Sequence, residues 1–322
     1  MYIKMKILKT LLSLNYFANI RYNLSTYKKL FIENGCLKKN ICETDNKKKY
    51  YIINKKDICT NVIIIPLYKD NYSYIFYDNK EEGVAVDPSN YKIINEISEK
   101  ENIKIKNILC THKHYDHNSG NFFYFNKKIN VYGIKENDNE YINKNLNNIS
   151  NFEINNFKIT TFISNFHCKN HISYLIENSR NKLKKIFFTG DFLFICGIGR
   201  NFESNNNDLY NSINNLNNLD KKNTYIFCGH EYTLDNIKFA LSVDSFNNNL
   251  KSFYEKVKKD CNTPTVPSLL EEEFLYNPFL RYNDENIKKS IKNYAMKNNY
   301  VIKKNSDYLI LLRIMKDNFK LT

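Results

Sequence analysis

"CTHKHYDHNSGN", residues 110–121, places three histidines and an aspartate within six positions, His112 to His117. The chain has only six histidines, so half of them fall in this one stretch. Just upstream, "KIKNILCTH" reads as a short β-rich run, and a strand ending at Thr111 would deliver His112 and His114 onto an extended loop. Side chains two apart on extended backbone point the same way, so the two imidazoles should converge. Asp116 and His117 follow one step on, where a helix is expected to begin toward "NSGNFFYF". His-x-His-x-Asp-His therefore offers two pairs of metal ligands, a density with few other physical uses. Imidazole and carboxylate suit zinc, iron or manganese, and the lack of thiolates argues against a structural zinc.

The remaining histidines test this reading. "SNFHCKNHISYLI" supplies His167 and His171 just before a strand. "KKIFFTGDFLF" is an apolar strand that should end in an exposed Asp191 after Gly190, and "NTYIFCGHEYT" is another that ends in His230 after Gly229. Successive strand ends thus present ligand-type residues, and the glycines allow close approach. Singly, each histidine reads more readily as a satisfied core or loop residue. No histidine lies outside the set, and together they favour a metal centre.

The rest of the chain is the frame for that centre. With 322 residues, 42% of them hydrophobic, one large domain and a smaller one can each fill a core. The +14 net charge invites a nucleic-acid or membrane reading, but residues 1–56 hold 13 Lys/Arg against 3 Asp/Glu, leaving +4 for the other 266. Asparagine-rich stretches such as "NKNLNNISN" (143–151) and "NSINNLNNLD" (211–220) read as solvated loops. The eight cysteines form no CxxC pair, so neither a zinc ribbon nor a disulfide scaffold is expected, and buried free thiols are.

The first 57 residues read as a removed or disordered targeting presequence. No acidic residue precedes Glu33, and the uncharged run Thr10–Ile20 is too short to span a bilayer. The bipartite pattern of an apolar run followed by a basic segment is similar to import signals of a plastid of secondary origin such as the apicoplast, with a mitochondrion as the alternative. No stable membrane insertion is expected.

The motif His112, His114, Asp116, His117 resembles that of the metallo-β-lactamase superfamily. More narrowly, the chain resembles glyoxalase II, the hydroxyacylglutathione hydrolases, over about residues 60–322. The narrower likeness rests on "PLYKDNYSYI" (66–75), "VDPSN" (86–90), "FTGDFLF" (188–194), "CGHEYTLDNIKFA" (228–240), "PTVPSLLEEEFLYNPFLR" (264–281) and "RIMKDNFK" (313–320). It implies an α/β fold, the αββα four-layer sandwich, in residues 58–230, and a C-terminal α-helical glutathione-binding domain in 231–322. Helix-type runs after His230 agree with that division.

The resemblance also implies two divalent metal ions, zinc first, with iron or manganese as alternatives. His112, His114 and His167 would hold one ion, and Asp116, His117 and His230 the other, with Asp191 bridging. Asp116 would also orient the attacking hydroxide, and His171 would support the site without ligating. Cys168 follows a ligand where the family usually has a small hydroxyl residue, but a ligand role for it is disfavoured. Arg200, Arg313 and Lys316 would bind glutathione carboxylates, and Tyr232 its peptide part. Two departures stand out: Arg200 replaces the usual Lys, and Phe202 the usual Tyr. The implied reaction is hydrolysis of S-D-lactoylglutathione to D-lactate and glutathione, the second step of methylglyoxal detoxification. Three rival readings are a mononuclear iron persulfide dioxygenase, an RNA-cleaving phosphodiesterase and a non-enzymatic nucleic-acid-binding protein. The last explains the charge but none of the histidines.

Overall fold

The computed structural model describes residues 39–44, 48–54, 58–147, 151–203, 205–260 and 262–320. The basic, apolar start of the expected presequence lies outside these residues, but its last part does not. Strands β1 (Asn40–Glu43) and β2 (Lys49–Ile53) pair antiparallel with each other, and β2 pairs with β3 (Asn61–Leu67). Tyr50 and Ile53 are fully buried. The boundary near residue 57 is therefore corrected: the folded body already includes Asn40–Glu43 and Lys49–Ile53, because β2 supplies Tyr50 to one core and Tyr51 and Ile53 to the other.

Two sheets face each other. The first has eight strands in sequence order, β1 to β8, adding β4 (Asn71–Tyr77), β5 (Gly83–Val86), β6 (Ile105–Leu109), β7 (Asn130–Gly133) and β8 (Lys144–Asn145). The second runs β16-β15-β12-β11-β10-β9, from β9 (Asn151–Ile154), β10 (Phe157–Ile163), β11 (Ile172–Asn178), β12 (Asn181–Gly190), β15 (Thr224–Cys228) and β16 (Ser268–Leu269). A short hairpin, β13 (Leu193–Phe194) with β14 (Gly197–Ile198), stands apart. Period-2 alternation sorts each central strand between two cores. On β4, Tyr72, Tyr74 and Phe76 face the opposing sheet, where Tyr74 and Phe76 pack on Phe188 with ring centroids 5.2 and 5.5 Å away. Ile75 and Tyr77 face outward, onto the apolar side of helix α1 (Tyr91–Lys100). On β12, Phe188 points inward and Phe187 outward.

The outer face of the second sheet is covered by α4 (Asn206–Asn215), α5 (Thr233–Val243), α8 (Glu285–Lys297) and α9 (Asn305–Asp317). One cluster joins Phe187 and Ile226 of the sheet to Leu209, Phe239, Ile287 and Leu309 of the helices, so the C-terminal helices share a core with the sheet. With α1 and α3 (Asn121–Asn126) outside the first sheet, the layers are α, β, β, α as the resemblance implies, but α5, α8 and α9 of the outer layer come from the residues 231–322 expected to form a domain of their own.

The asparagine-rich stretch 211–220 is not a solvated loop: it completes α4 and a following 3-10 turn, burying Ile213 and Leu216. With Leu209 these lie at helical spacing, an apolar stripe hidden among asparagines. Several asparagines cap helices, Asn90 accepting from Ile93, Asn205 from Asn207 and Asp208, and Asn247 from Leu250. Their side chains take up N–H groups that a helix start leaves unpaired.

Candidate metal centre

The site forms where strands end. Parallel pairing of β12 with β15 sets Gly190 opposite Cys228 and carries Asp191 and His230 side by side. Three backbone bonds stitch the two sheets together there: Tyr72 N–H to Gly229 O (2.8 Å), Glu231 N–H to Asp70 O (2.7 Å) and Ile172 N–H to Thr111 O (2.8 Å). His112 and His114 leave β6 on the extended loop, and Asp116 and His117 lie in the short helix α2 (Tyr115–Asn118). The glycines are needed for contact: a Cβ on Gly229 would sit 2.3 Å from Asp191 Oδ1, and one on Gly190, at φ +51°, 2.8 Å from His171 Nε2.

Two ligand sets emerge. His114 Nδ1 lies 3.0 Å from His112 Nε2 and 2.9 Å from His167 Nε2, while His117 Nε2 lies 3.2 Å from His230 Nε2, with Asp116 Oδ2 3.8 and 3.5 Å from the two. Asp191 reaches both sets: Oδ1 is 3.3 Å from His117 Nε2, and Oδ2 is 3.4 Å from His167 Nε2 and 3.3 Å from His230 Nε2. Unlike the sequence expectation, Asp191 is buried, 6% exposed, because the glycines on both strands let it fold under the histidines.

The residues fit a cation. Asp191 Oδ1 is buried with no hydrogen bond donated to it, a costly arrangement for a carboxylate unless positive charge faces it. Burial lowers His167 to about 4 and holds His112 well below the usual imidazole range, which leaves neutral lone pairs on that side. On the other side burial works against protonation too, yet Asp191, Asp70 and Asp116 draw His230 up to about 10, and Asp191 and Asp87 raise His117. Those carboxylates create a place where positive charge is stabilised.

A second layer locks the imidazoles. His117 Nδ1 is 3.0 Å from Asp87 Oδ2, His230 Nδ1 2.9 Å from Asp70 Oδ1, His112 Nδ1 2.9 Å from Thr111 Oγ1, and His167 Nδ1 3.0 Å from the carbonyl of Arg200. Asp87, His112 and His117 also lie close enough to form a third ligand group. Asp87 is committed otherwise, accepting from Thr111 N–H (2.7 Å) and Thr111 Oγ1 (2.6 Å). Asn71 Nδ2 donates to Asp116 Oδ2 at 2.9 Å. Asp70, Asn71 and Asp87 read as mere turn residues in the sequence. A carboxylate at each turn, between a strand and a His-bearing partner, was the available signal. His171 Nε2 accepts from Asp191 N–H at 3.1 Å and so has no lone pair left there, while its Nδ1 meets Ser164 Oγ at 2.8 Å. Cys168 is buried, and burial pushes its thiol up to about 12, away from the ligating thiolate.

A cleft of about 620 Å³ opens from this cluster. It brings together Arg200, Phe202, Tyr232, Arg313 and Lys316, from three separate stretches of the chain. Tyr232 stacks on His230 at 4.7 Å with the rings 5° from parallel, and Phe202, 60% exposed, stands edge-on to His114 and His167. Arg313 and Lys316 share a face of α9, as their spacing of three predicts.

Two facing sheets between helices, with a His/Asp cluster at the strand ends, are the metallo-β-lactamase fold. A family model described as hydroxyacylglutathione hydrolase C-terminus matches residues 231–319. A hydroxyacylglutathione hydrolase of Dictyostelium discoideum is 39% identical over 264 residues, 78% of this chain and 97% of the relative. Another, of Shewanella halifaxensis, is 33% identical over 263 residues, 79% of this chain and 98% of the relative. Among solved structures, BLEG-1 B3 metallo-β-lactamase aligns with a TM-score of 0.49 at 20% identity, over 68% of this chain and 99% of that one. This chain belongs to the hydroxyacylglutathione hydrolase family.

Proposed function

We propose that the chain hydrolyses S-D-lactoylglutathione, and other glutathione thioesters of 2-hydroxy acids, to the acid and glutathione, the second step of methylglyoxal detoxification. One observation carries this: a single cleft is lined by the His/Asp cluster and by Arg200, Arg313 and Lys316. The cluster suits carbonyl chemistry and the cations suit a peptide bearing carboxylates.

In this reading His112, His114 and His167 would hold one divalent ion and Asp116, His117 and His230 a second, with Asp191 in reach of either set. Two such ions, when bound, would supply Lewis acidity toward the thioester carbonyl and activate water near neutral pH. Zinc is the proposed metal, and iron or manganese suits the same donors. Asp116 holds a proton of the attacking water, with its carboxylate aimed by Asn71. His171 fixes the backbone of Asp191, and Asp70 and Asp87 fix the tautomers of His230 and His117. The thiolate leaves without a protein acid, since thiols are far more acidic than alcohols.

No helix among the described residues is long and apolar enough to cross a membrane. We further propose that the basic N-terminal segment directs the chain to a plastid-type organelle, with a mitochondrion as the alternative. The family match disfavours the persulfide dioxygenase and RNA-cleaving alternatives. A steady-state assay of the full chain on S-D-lactoylglutathione and on the lactoyl thioester of a small neutral thiol tests the reading. A kcat/KM at least about 100-fold higher for the glutathione thioester is expected, the worth of two charge-assisted contacts. Equal rates, or turnover of neither, would overturn it.

A further inference from the structure

The three cations of the cleft are not equally free to meet a ligand. Arg313 is 6% exposed and largely committed: Nη1 donates to Ile198 O at 2.8 Å and Nη2 to Asp317 Oδ1 at 3.0 Å. Its Nε is buried without an acceptor. The same oxygen of Asp317 lies 3.4 Å from Nε of Arg200, so one carboxylate atom serves two guanidiniums. Lys316 donates to the carbonyl of Asp235 at 3.1 Å. Around the helix side of the cleft, Arg200 and Arg313 thus share the single carboxylate of Asp317, while the carboxylate of Asp235 lies 3.9 Å from Lys238 Nζ.

The Arg313–Asp317 pair joins residues four apart on α9 and is mostly buried on the arginine side. The Arg200–Asp317 contact differs: it joins the loop after β14 to a helix, and both side chains are well exposed, 66% and 39%. Packing does not require it. Asp317 faces only Nε of Arg200, at 3.4 Å, so a ligand carboxylate that enters shares the guanidinium with Asp317 or draws it away. Asparagine at 317 would keep an oxygen for Arg313 while removing the charge that competes for Arg200.

We propose that Asp317 is a specificity-determining counter-charge, holding Arg200 beside the cleft until a substrate carboxylate displaces it. The role rests on the glutathione-thioester reading above. A glutathione thioester carries two carboxylates and one ammonium, and a carboxylate is the group that competes with Asp317 for Arg200. Asp317 thereby weakens binding of substrate and product together, and it keeps the glutathione product from lingering.

The test compares the wild-type full chain with Asp317→Asn and Asp317→Glu on S-D-lactoylglutathione, at low salt and near 1 M salt. At low salt Asp317→Asn should lower KM by about 2- to 5-fold, the range of an exposed ion pair. Inhibition by glutathione should tighten by the same factor, and Asp317→Glu should stay near wild type. The difference should shrink at high salt, where exposed charges are screened. An unchanged or raised KM in Asp317→Asn, with Asp317→Glu normal, would show that Asp317 only braces Arg313 and would overturn the proposal. If Asp317→Asn does not fold, Asp317→Ser is read the same way. Absence of turnover in the wild type would defeat the thioester reading itself; wild-type turnover without the KM shift defeats the counter-charge role alone.

Discussion

At the strand ends, the imidazoles of His112, His117, His167 and His230 each have their far nitrogen held, by Thr111, Asp87, the Arg200 carbonyl and Asp70 in turn. On the helix side of the same cleft, Arg200 is exposed and shares one oxygen of Asp317 with Arg313, and Lys316 donates to a backbone carbonyl and lies over the Phe239 ring. The first region uses short, buried side chains that have little freedom to lose. The second uses long ones that pay rotamer entropy whenever they are fixed. Bond-breaking chemistry demands donors held to fractions of an ångström, whereas recognition of a flexible peptide tolerates adjustment. Substitutions at the two ends should therefore differ in kind, those at the strand ends acting on metal content and kcat, those on the helix side on KM.

The largest effect is expected at Asp191. Asp191→Asn removes the charge that faces both ligand sets, and metal content should drop together with a fall in kcat well beyond 100-fold. Loss of kcat with full metal content would show that Asp191 does not hold the ions. Next come the residues behind the ligands: Asp87→Asn and Asp70→Asn should weaken metal affinity by about 10- to 100-fold, read by chelator competition, as loss of such supports does elsewhere. Unchanged affinity would mean that the fold alone fixes the imidazoles. On the helix side, Arg200→Gln should raise KM by about 2- to 5-fold, as for one exposed ionic contact, and leave metal content untouched. A fall in metal content there would erase the distinction between the two ends. The smallest effect is expected at Phe202. Phe202→Tyr restores one hydroxyl and should lower KM by roughly 2- to 10-fold, the worth of a single hydrogen bond. An identical KM would show that the exposed ring does not touch substrate.

Much of this was legible in the sequence because it was local. Strand alternation, helical spacing in 233–243 and 305–317, and the density of His112 to His117 are short-range patterns that the structure reproduces. The gathering of all six histidines at one place also agrees with expectation. What the sequence hid is non-local. Asp70 meets His230 across 160 positions, and Asp87 meets His117 across 30, so each reads alone as a turn residue. The burial of Asp191 depends on glycines of two different strands and on the histidines above them. The strands at Asn40–Glu43 and Lys49–Ile53 lie in a basic, asparagine-rich context, where composition masks the burial of Tyr50, Tyr51 and Ile53. Leu209, Ile213 and Leu216 were masked in the same way, an apolar stripe diluted by asparagine.

The most direct measurement is the metal content of the purified full chain, taken alongside its turnover of S-D-lactoylglutathione before and after chelation and metal return. Two ligand sets bridged by Asp191 predict close to two divalent ions per chain, with turnover that is lost on chelation and regained on adding zinc, iron or manganese. One iron per chain without thioester hydrolysis would contradict both the paired site and the reaction assigned to it.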